Sequence, residues 1–299
     1  MTDKQDKSER KTVVVLLEGD TSSIEYEGDE TCEIYKVTNL FEYKSYVTSK
    51  ITQRLSHISI LVKFTTVEGL TKTMHFLSQF NSKHQEELQV SKSKFTQQVE
   101  KFTRKLQPET SELPTTLSQG QCELSMCFPV SVLFDSSQIK DNELSPTTIF
   151  NLQITRYIML KHGCGDIISF DSSDSWSDIS TVDLEDTPPK PIFSSDGQIV
   201  YYIPQGWDSW NKIILQGKSI ISSITSDLII REEAKLFQFD SKYEEYFTGN
   251  ITINELFSEF NYKPTTTTTS TAKPDHLNQA NISYNQFLQE IAAPSIVES

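Results

Sequence analysis

Short runs of mostly apolar residues, rich in β-branched side chains, constrain the fold of this chain more than any other feature of its sequence. They span residues 13–17, 57–64, 128–134 and 166–170, and a further run spans 198–203. A strand that is covered on both faces has a nearly continuous apolar sequence rather than a strict alternation. These runs therefore predict the buried strands of a mainly parallel sheet. Residues 22–27 and 32–38 flank a turn at residues 28–30 and predict a hairpin or a meander.

Stretches with helical spacing separate the apolar runs. Residues 68–106 contain no proline and predict two helices, from Leu70, Met74, Leu77 and Phe80 and then from Phe95, Val99, Phe102 and Leu106. A further helix is predicted from Ser145 as N-cap and Pro146 as first residue to Gly163, with Phe150, Ile154, Tyr157 and Ile158 on one face. Strands that alternate with helices predict an α/β fold with right-handed crossovers.

The residues that follow the first run bear on nucleotide binding. A phosphate-binding loop has the pattern G-x-x-x-x-G-K-[S/T], in which backbone N–H groups and the Lys hold the phosphates. The residues found here are Glu18, Gly19, Asp20 and Thr21, so the second Gly and the Lys are missing and Asp20 would repel a phosphate. The strand at 128–134 continues as Asp-Ser-Ser and lacks the Lys of a guanine-recognition element. The sequence predicts a degenerate nucleotide site and no bound cofactor.

Catalytic and metal-binding patterns are also missing from the sequence. It contains neither a G-x-S-x-G elbow nor an H-E-x-x-H helix. Cys32, Cys122, Cys127 and Cys164 are scattered, and the Cys122–Cys127 gap is wider than zinc sites use. We expect free thiols, no metal and no enzymatic activity.

The charge of the chain restricts its partners. The formal net charge is −14, which argues against binding to nucleic acid and to anionic lipid, because both need clustered Lys and Arg. No apolar run approaches the roughly 20 residues that cross a bilayer, and the N-terminus is polar and contains acids. We therefore expect a cytoplasmic protein without membrane insertion.

Two of the three tryptophans lie within four residues, in the segment Y-I-P-Q-G-W-D-S-W-N-K-I at 202–213. Pro204 restricts φ, Gly206 permits a turn, and Trp207 and Trp210 each offer a large apolar face with one N–H group. On residue physics alone this segment predicts a buried loop anchor. We call residues 202–213 the tryptophan segment.

The C-terminal third changes in composition. Residues 172–191 are acidic and rich in Ser, which predicts the end of the sheet domain, and Tyr243, Tyr246, Phe247, Leu256, Phe257 and Phe260 predict amphipathic segments beyond it. Residues 263–281 form a Thr- and Pro-rich linker. A short helix follows at 282–294, capped by Ser283 and Gln286, with Tyr284, Phe287, Leu288 and Ile291 on one face. An isolated helix of this length is marginal in water, so this tethered face predicts a motif for a partner groove.

The tryptophan segment resembles a signature of the cytoplasmic dynein light intermediate chains, particularly the fungal ones. Residues 29–37, 55–64 and 128–134 are similar in pattern to further parts of that family, and the likeness covers about residues 12–262. One departure is Thr-Asn-Leu-Phe at 38–41, where the family has an Asp-Gly-Asp segment.

The resemblance implies a Ras-like, P-loop NTPase-type sheet with flanking helices, a degenerate nucleotide site and a mostly helical C-terminal extension. It implies a tail at 1–11, a pseudo-G domain at 12–175, the extension at 176–262, the linker, the short helix and a tail at 295–299. The family's extension helps to fasten it to the dynein heavy-chain tail, and its short helix binds cargo adaptors.

The implied function is a non-catalytic subunit of the dynein motor that stabilises the heavy chain and links it to cargo in microtubule-based transport and in nuclear or spindle positioning. It implies that Pro204, Gly206, Trp207, Asp208, Trp210 and Lys212 anchor or contact the heavy chain, and that Tyr284, Phe287, Leu288 and Ile291 contact an adaptor or a cortical anchor protein. Gln286-Phe287 replaces a Phe-Phe pair of animal members. Two alternatives remain: a small GTPase-like switch with an atypical site, and a pseudo-GTPase trafficking scaffold unrelated to dynein.

Overall fold

The computed structural model describes residues 10–19, 21–106, 117–135, 145–170, 191–193, 201–218 and 227–260. The strands are β1 Lys11–Leu17, β2 Ser23–Gly28, β3 Cys32–Thr38, β4 Ile58–Lys63, β5 Val130–Asp135, β6 Ile167–Phe170, β7 Ile192–Phe193 and β8 Tyr201–Ile203. The helices are α1 Lys44–Arg54, α2 Val67–Ser78, α3 Gln85–Leu106, α4 Pro146–His162, α5 Trp210–Lys218, α6 Glu233–Phe247 and α7 Ile253–Ser258. The predicted short helix and its linker lie outside the described residues.

The eight strands among the described residues belong to one sheet, in the order β2-β3-β1-β4-β5-β6-β8-β7. The five strands from β3 to β6 in that order run parallel to one another. At one end β2 pairs antiparallel with β3, which confirms the predicted hairpin. At the other end β8 runs antiparallel to β6 and β7 antiparallel to β8. The predicted α/β fold with a mainly parallel sheet is confirmed.

One hydrophobic core joins the sheet to its helices. Alternate side chains of the central strands point into it, among them Val14 and Leu16 of β1 and Ile60 and Val62 of β4. Each of the seven helices contributes buried side chains to the same core: Val47, Leu70, Phe95, Phe150, Ile213, Phe239 and Leu256 are one from each. The predicted boundary at 175–176 falls outside the described residues, and the strand and helices that follow it extend the same sheet and the same core.

Helix α4 begins and ends as the sequence predicts, and its burial extends beyond the predicted face. The side chain of Ser145 caps it by accepting a bond from the N–H of Thr148, and Gly163 ends it at φ 57°. The four residues of the predicted face are buried, and so is every other residue from 148 to 162. A helix that is covered on all sides belongs in the centre of a larger core. Here α2 packs against α4 on one side and α5 on another.

Helix α1 is not apparent from the sequence. Only Val47 and Ile51 on it are buried, so it lacks an apolar stripe wide enough to be detected by periodicity. These two side chains pack into the shared core, and Tyr46 of α1 contacts Tyr35 of β3. The two predicted helices between β4 and β5 are confirmed as α2 and α3.

Candidate functional site

The carboxyl end of β1 is where an α/β sheet of this kind would hold a phosphate group. β1 ends at Leu17 and β2 begins at Ser23, so residues 18–22 are the whole connection. A phosphate site of this type needs the N-terminus of a helix directly after the strand. Five residues are too few to contain that helix and its loop, and in the part of the chain that the structure describes β1 is followed by β2 instead.

The Glu18 carboxylate lies at the start of the neighbouring helix α2. Its Oε2 accepts bonds from the N–H of Thr65 at 2.7 Å, the hydroxyl of Thr65 at 2.6 Å and the N–H of Thr66 at 3.2 Å. Thr66 is the N-cap of α2, and its hydroxyl accepts a bond from the N–H of Gly69. Helix N-termini attract anions. The chain therefore places its own anion at this helix end.

Asn39 connects the same edge of the sheet. It adopts φ 65°, a left-handed conformation that Asn tolerates better than most residues. Its N–H donates to the carbonyl of Leu17, and its side-chain amide donates to the Ser22 hydroxyl and to Glu42, each at 3.1 Å. Of the predicted degenerate loop, Gly19 packs against Thr38, Thr21 is exposed, and Asp20 lies outside the described residues.

The tryptophan segment begins with a tight turn at the end of β8. The N–H of Trp207 donates to the carbonyl of Pro204 at 3.2 Å, and Gly206 adopts φ 79°, which explains the glycine. A methyl group on Gly206 would lie 3.1 Å from the backbone nitrogen of Val99 in α3. The N–H of Gln205 donates to Asp166, just before β6. The turn is thus fixed between α3 and the sheet.

Asp208 connects the segment to the centre of the molecule through Arg156 of α4. Nε of Arg156 lies 3.0 Å from Oδ2 and Nη2 lies 2.5 Å from Oδ1, a bidentate pair. The two side chains are only 2% and 8% exposed. Arg156 also donates to the side-chain oxygen of Gln216 in α5. One buried guanidinium therefore joins α4, the tryptophan segment and α5.

Trp210 is the first residue of α5 and is 7% exposed. Its indole nitrogen faces Gly120, which has φ 80°, and a Cβ at that position would lie 1.8 Å from the nitrogen. Among the described residues, this N–H finds no hydrogen-bond acceptor. Gln121 donates from its side chain to the carbonyl of Asp208. Residues 120–121 thus pack directly on the tryptophan segment.

Trp207 and Lys212 are the half-buried part of the segment. The ammonium of Lys212 lies 3.8 Å from the centre of the Trp207 ring and donates to the Trp207 carbonyl at 2.5 Å. Burial lowers the pKa of Lys212 to about 8, and the charge of Asp208 opposes that shift. Of the six predicted anchor residues, Pro204, Asp208 and Trp210 are buried, while Gly206, Trp207 and Lys212 are half-buried.

A buried lysine forms a second polar cluster that the sequence analysis missed. The ammonium of Lys161 is fully buried and pairs with Asp240 at 2.7 Å, Glu244 at 2.6 Å and Glu123. The three carboxylates lie close enough together to hold a cation. Lys161 already supplies that cation, so the cluster joins α4 to α6. The available signal was a charged residue directly beside an apolar run of a predicted helix; Lys161 follows the run 157–160, and Arg156 precedes it.

The cysteines follow the expectation. Cys122, Cys127 and Cys164 are buried and Cys32 is half-buried, all as free thiols. Burial raises the pKa of Cys127 to about 11, which keeps that thiol protonated and unreactive. A cavity of ≈ 20 Å³ lies beside Arg156 and Cys164, with room for one water molecule.

Comparisons of the sequence with protein-family models and with curated proteins give no match. None of the described helices is long and apolar enough to span a membrane. The predicted adaptor-binding residues Tyr284, Phe287, Leu288 and Ile291 lie outside the described residues.

Proposed function

We propose that this protein is a non-catalytic light intermediate chain subunit of cytoplasmic dynein, bound to the heavy-chain tail through its C-terminal part. It links the motor to cargo or to a cortical anchor protein, and the ATPase activity resides in the heavy chain. The observation that carries the proposal is the tryptophan segment, whose sequence resembles that family and which Arg156 of α4 holds through Asp208.

The sheet supports the proposal at the level of the fold. The order β2-β3-β1-β4-β5-β6, with β2 alone antiparallel among these six, fits a Ras-like G domain. The short β1–β2 connection and the Glu18 carboxylate on α2 fit a domain of this type that has lost its nucleotide site. A protein of this kind acts by holding partners together.

Affinity purification of the full chain from cytosol tests the proposal. We expect a very large motor ATPase chain to be recovered with it. Trp207→Ala should reduce that recovery, because Trp207 is the half-buried ring of the segment. Phe237→Ala is the matched control, since Phe237 is an exposed aromatic side chain on α6. Failure to recover a motor chain would contradict the proposal. Equal recovery with both variants would contradict the assignment of Trp207 to the interface.

A GTPase-like switch is the second candidate, because the same strand order suits nucleotide-binding proteins. It requires phosphate to bind at the edge where Glu18 now lies. Titration with fluorescent GTP in the presence of Mg²⁺ separates the two: we expect no binding at micromolar protein, and saturable binding would support the switch.

A further inference from the structure

Strand β2 is an open edge of the sheet. It is the first strand in the sheet order and pairs only with β3 among the described residues. Five of its six residues, 24–28, are exposed. The outer N–H and C=O groups of such a strand are free to pair with another extended chain.

The two faces of β2 differ in chemistry. Ile24 and Tyr26 lie opposite Val37 and Tyr35, whose side chains are part of the core. Ile24 is nevertheless 37% exposed and Tyr26 is 56% exposed, so the apolar face of the sheet continues uncovered onto its last strand. Proteins rarely leave an uncovered apolar edge without a function or a protective charge.

The opposite face of β2 is acidic. It presents Glu25 and Glu27, which lie opposite Lys36 and Ile34, and the ammonium of Lys36 pairs with the Glu27 carboxylate. Over residues 23–38 the hairpin has five acidic side chains, Glu25, Glu27, Asp29, Glu30 and Glu33, against the single base Lys36. This excess disfavours a second copy of the chain, because two β2 strands with their apolar faces on the same side would set glutamates against glutamates.

We infer that β2 is a strand-addition site for an extended basic segment of a partner protein. Because successive side chains of a strand point to opposite faces, the added strand needs alternating apolar and basic residues. Its apolar side chains cover Ile24 and Tyr26, and its Lys or Arg side chains meet Glu25 and Glu27. This inference does not depend on the proposed function.

Amide hydrogen exchange of the full chain, with and without the peptide Lys-Val-Lys-Val-Lys-Val-Lys, tests it. We expect amides of residues 23–28 that point away from β3 to exchange at least tenfold more slowly when the peptide is saturating. A peptide of the same composition with the three valines together is the control for non-specific attraction to an acidic protein. Absence of slowing at millimolar peptide, or equal slowing by both peptides, would overturn the inference.

Two variants locate the site. Glu25→Gln/Glu27→Gln should weaken peptide binding about twofold, from one exposed pair at Glu25 worth roughly 0.5 kcal/mol, because Glu27 already pairs with Lys36. Glu86→Gln/Glu245→Gln makes the same change of charge at exposed helical sites and should leave binding unchanged. Ile24→Thr keeps a β-branched residue and should also weaken binding. If a higher protein concentration slows the amide exchange of β2 in the absence of peptide, the occupant is a second copy of the chain and the inference is wrong.

Discussion

The protonation state of His162 follows from two hydrogen bonds in the core. Its Nδ1 lies 2.6 Å from the carbonyl of Leu124, which can only accept, so Nδ1 carries the proton. Its Nε2 then accepts from the hydroxyl of Tyr243 at 2.9 Å. A second proton, on Nε2, would take away the acceptor of the Tyr243 hydroxyl and place a charge on a fully buried ring. Burial accordingly lowers the pKa of His162 from 6.5 to about 3.

Folding stability should therefore fall on acidification. Below pH 6.5 the unfolded chain protonates His162 while the folded chain does not, until the pH approaches about 3. The free energy of unfolding should lose about 1.4 kcal/mol per pH unit from this group in that interval. His162→Gln keeps a donor and an acceptor but does not titrate, so urea unfolding between pH 7.5 and 4.5 should show a shallower pH dependence. An identical dependence in both proteins would contradict the assignment.

Gly120 is required by Trp210 as well as by its own backbone. Gly120→Ala places a methyl group against the indole nitrogen at φ 80°, whereas Gly249 has φ 79° and nothing within 4 Å of a Cβ. Both substitutions cost about 1–2 kcal/mol for the backbone. Only Gly120→Ala adds overpacking, worth about 1–3 kcal/mol more. The difference in the free energy of unfolding between the two variants measures the contact, and equal values would show that the indole moves aside freely.

At the scale of elements, the Arg156–Asp208 pair fastens the tryptophan segment to α4. Asp208→Asn leaves the guanidinium buried without its counter-charge and should cost about 3–5 kcal/mol of unfolding free energy. Arg156→Met/Asp208→Leu removes both charges and should recover most of that loss, because apolar side chains do not pay for desolvation. Urea denaturation of the single and double variants measures the coupling. If the double variant is less stable than Asp208→Asn, the expectation is wrong and the ion pair contributes more free energy than its desolvation costs.

Elements with a local signal could be predicted, and elements held by distant residues could not. The β-branched run of β1 and the cap and stop of α4, Ser145 and Gly163, are contained in a few consecutive residues. Helix α1 has only two buried apolar residues, so no pattern marks it. The burial of α4 on all sides depends on α5, which lies beyond β8 in the chain.

The same distinction holds for the sites. The sequence identified Pro204, Gly206 and the two tryptophans because their types are unusual together. It did not identify the partner of Asp208, because Arg156 is 52 positions away, nor the role of Glu18, whose partner Thr65 is 47 positions away. Contacts between residues so far apart in the sequence produce no local periodic pattern.

At the scale of the whole molecule, the described residues after 200 complete the core rather than add a separate one. Ile203, Trp210, Phe239 and Tyr243 belong to the core that covers the parallel strands. Lys161 and Arg156 of α4 both obtain their counter-charges from this part of the chain, from Asp240 and Glu244 and from Asp208. Without it, Arg156 would lose Asp208, Lys161 would keep Glu123 but lose Asp240 and Glu244, and a long apolar surface of α4 would be exposed.

The sheet and the C-terminal helices should therefore unfold together. In a Trp176→Phe background, the fluorescence of Trp207 and Trp210 reports on the C-terminal part and far-ultraviolet circular dichroism reports on all the helices. We expect the two urea transitions to coincide, because one shared core gives one cooperative unit. A fragment ending at residue 175, the boundary that the sequence predicts, should lack a cooperative transition, since α4 loses Asp208, Asp240 and Glu244, which pair with Arg156 and Lys161. Two separate transitions, or a fragment that unfolds cooperatively, would show that the sheet domain stands alone and that the C-terminal part is an appended unit.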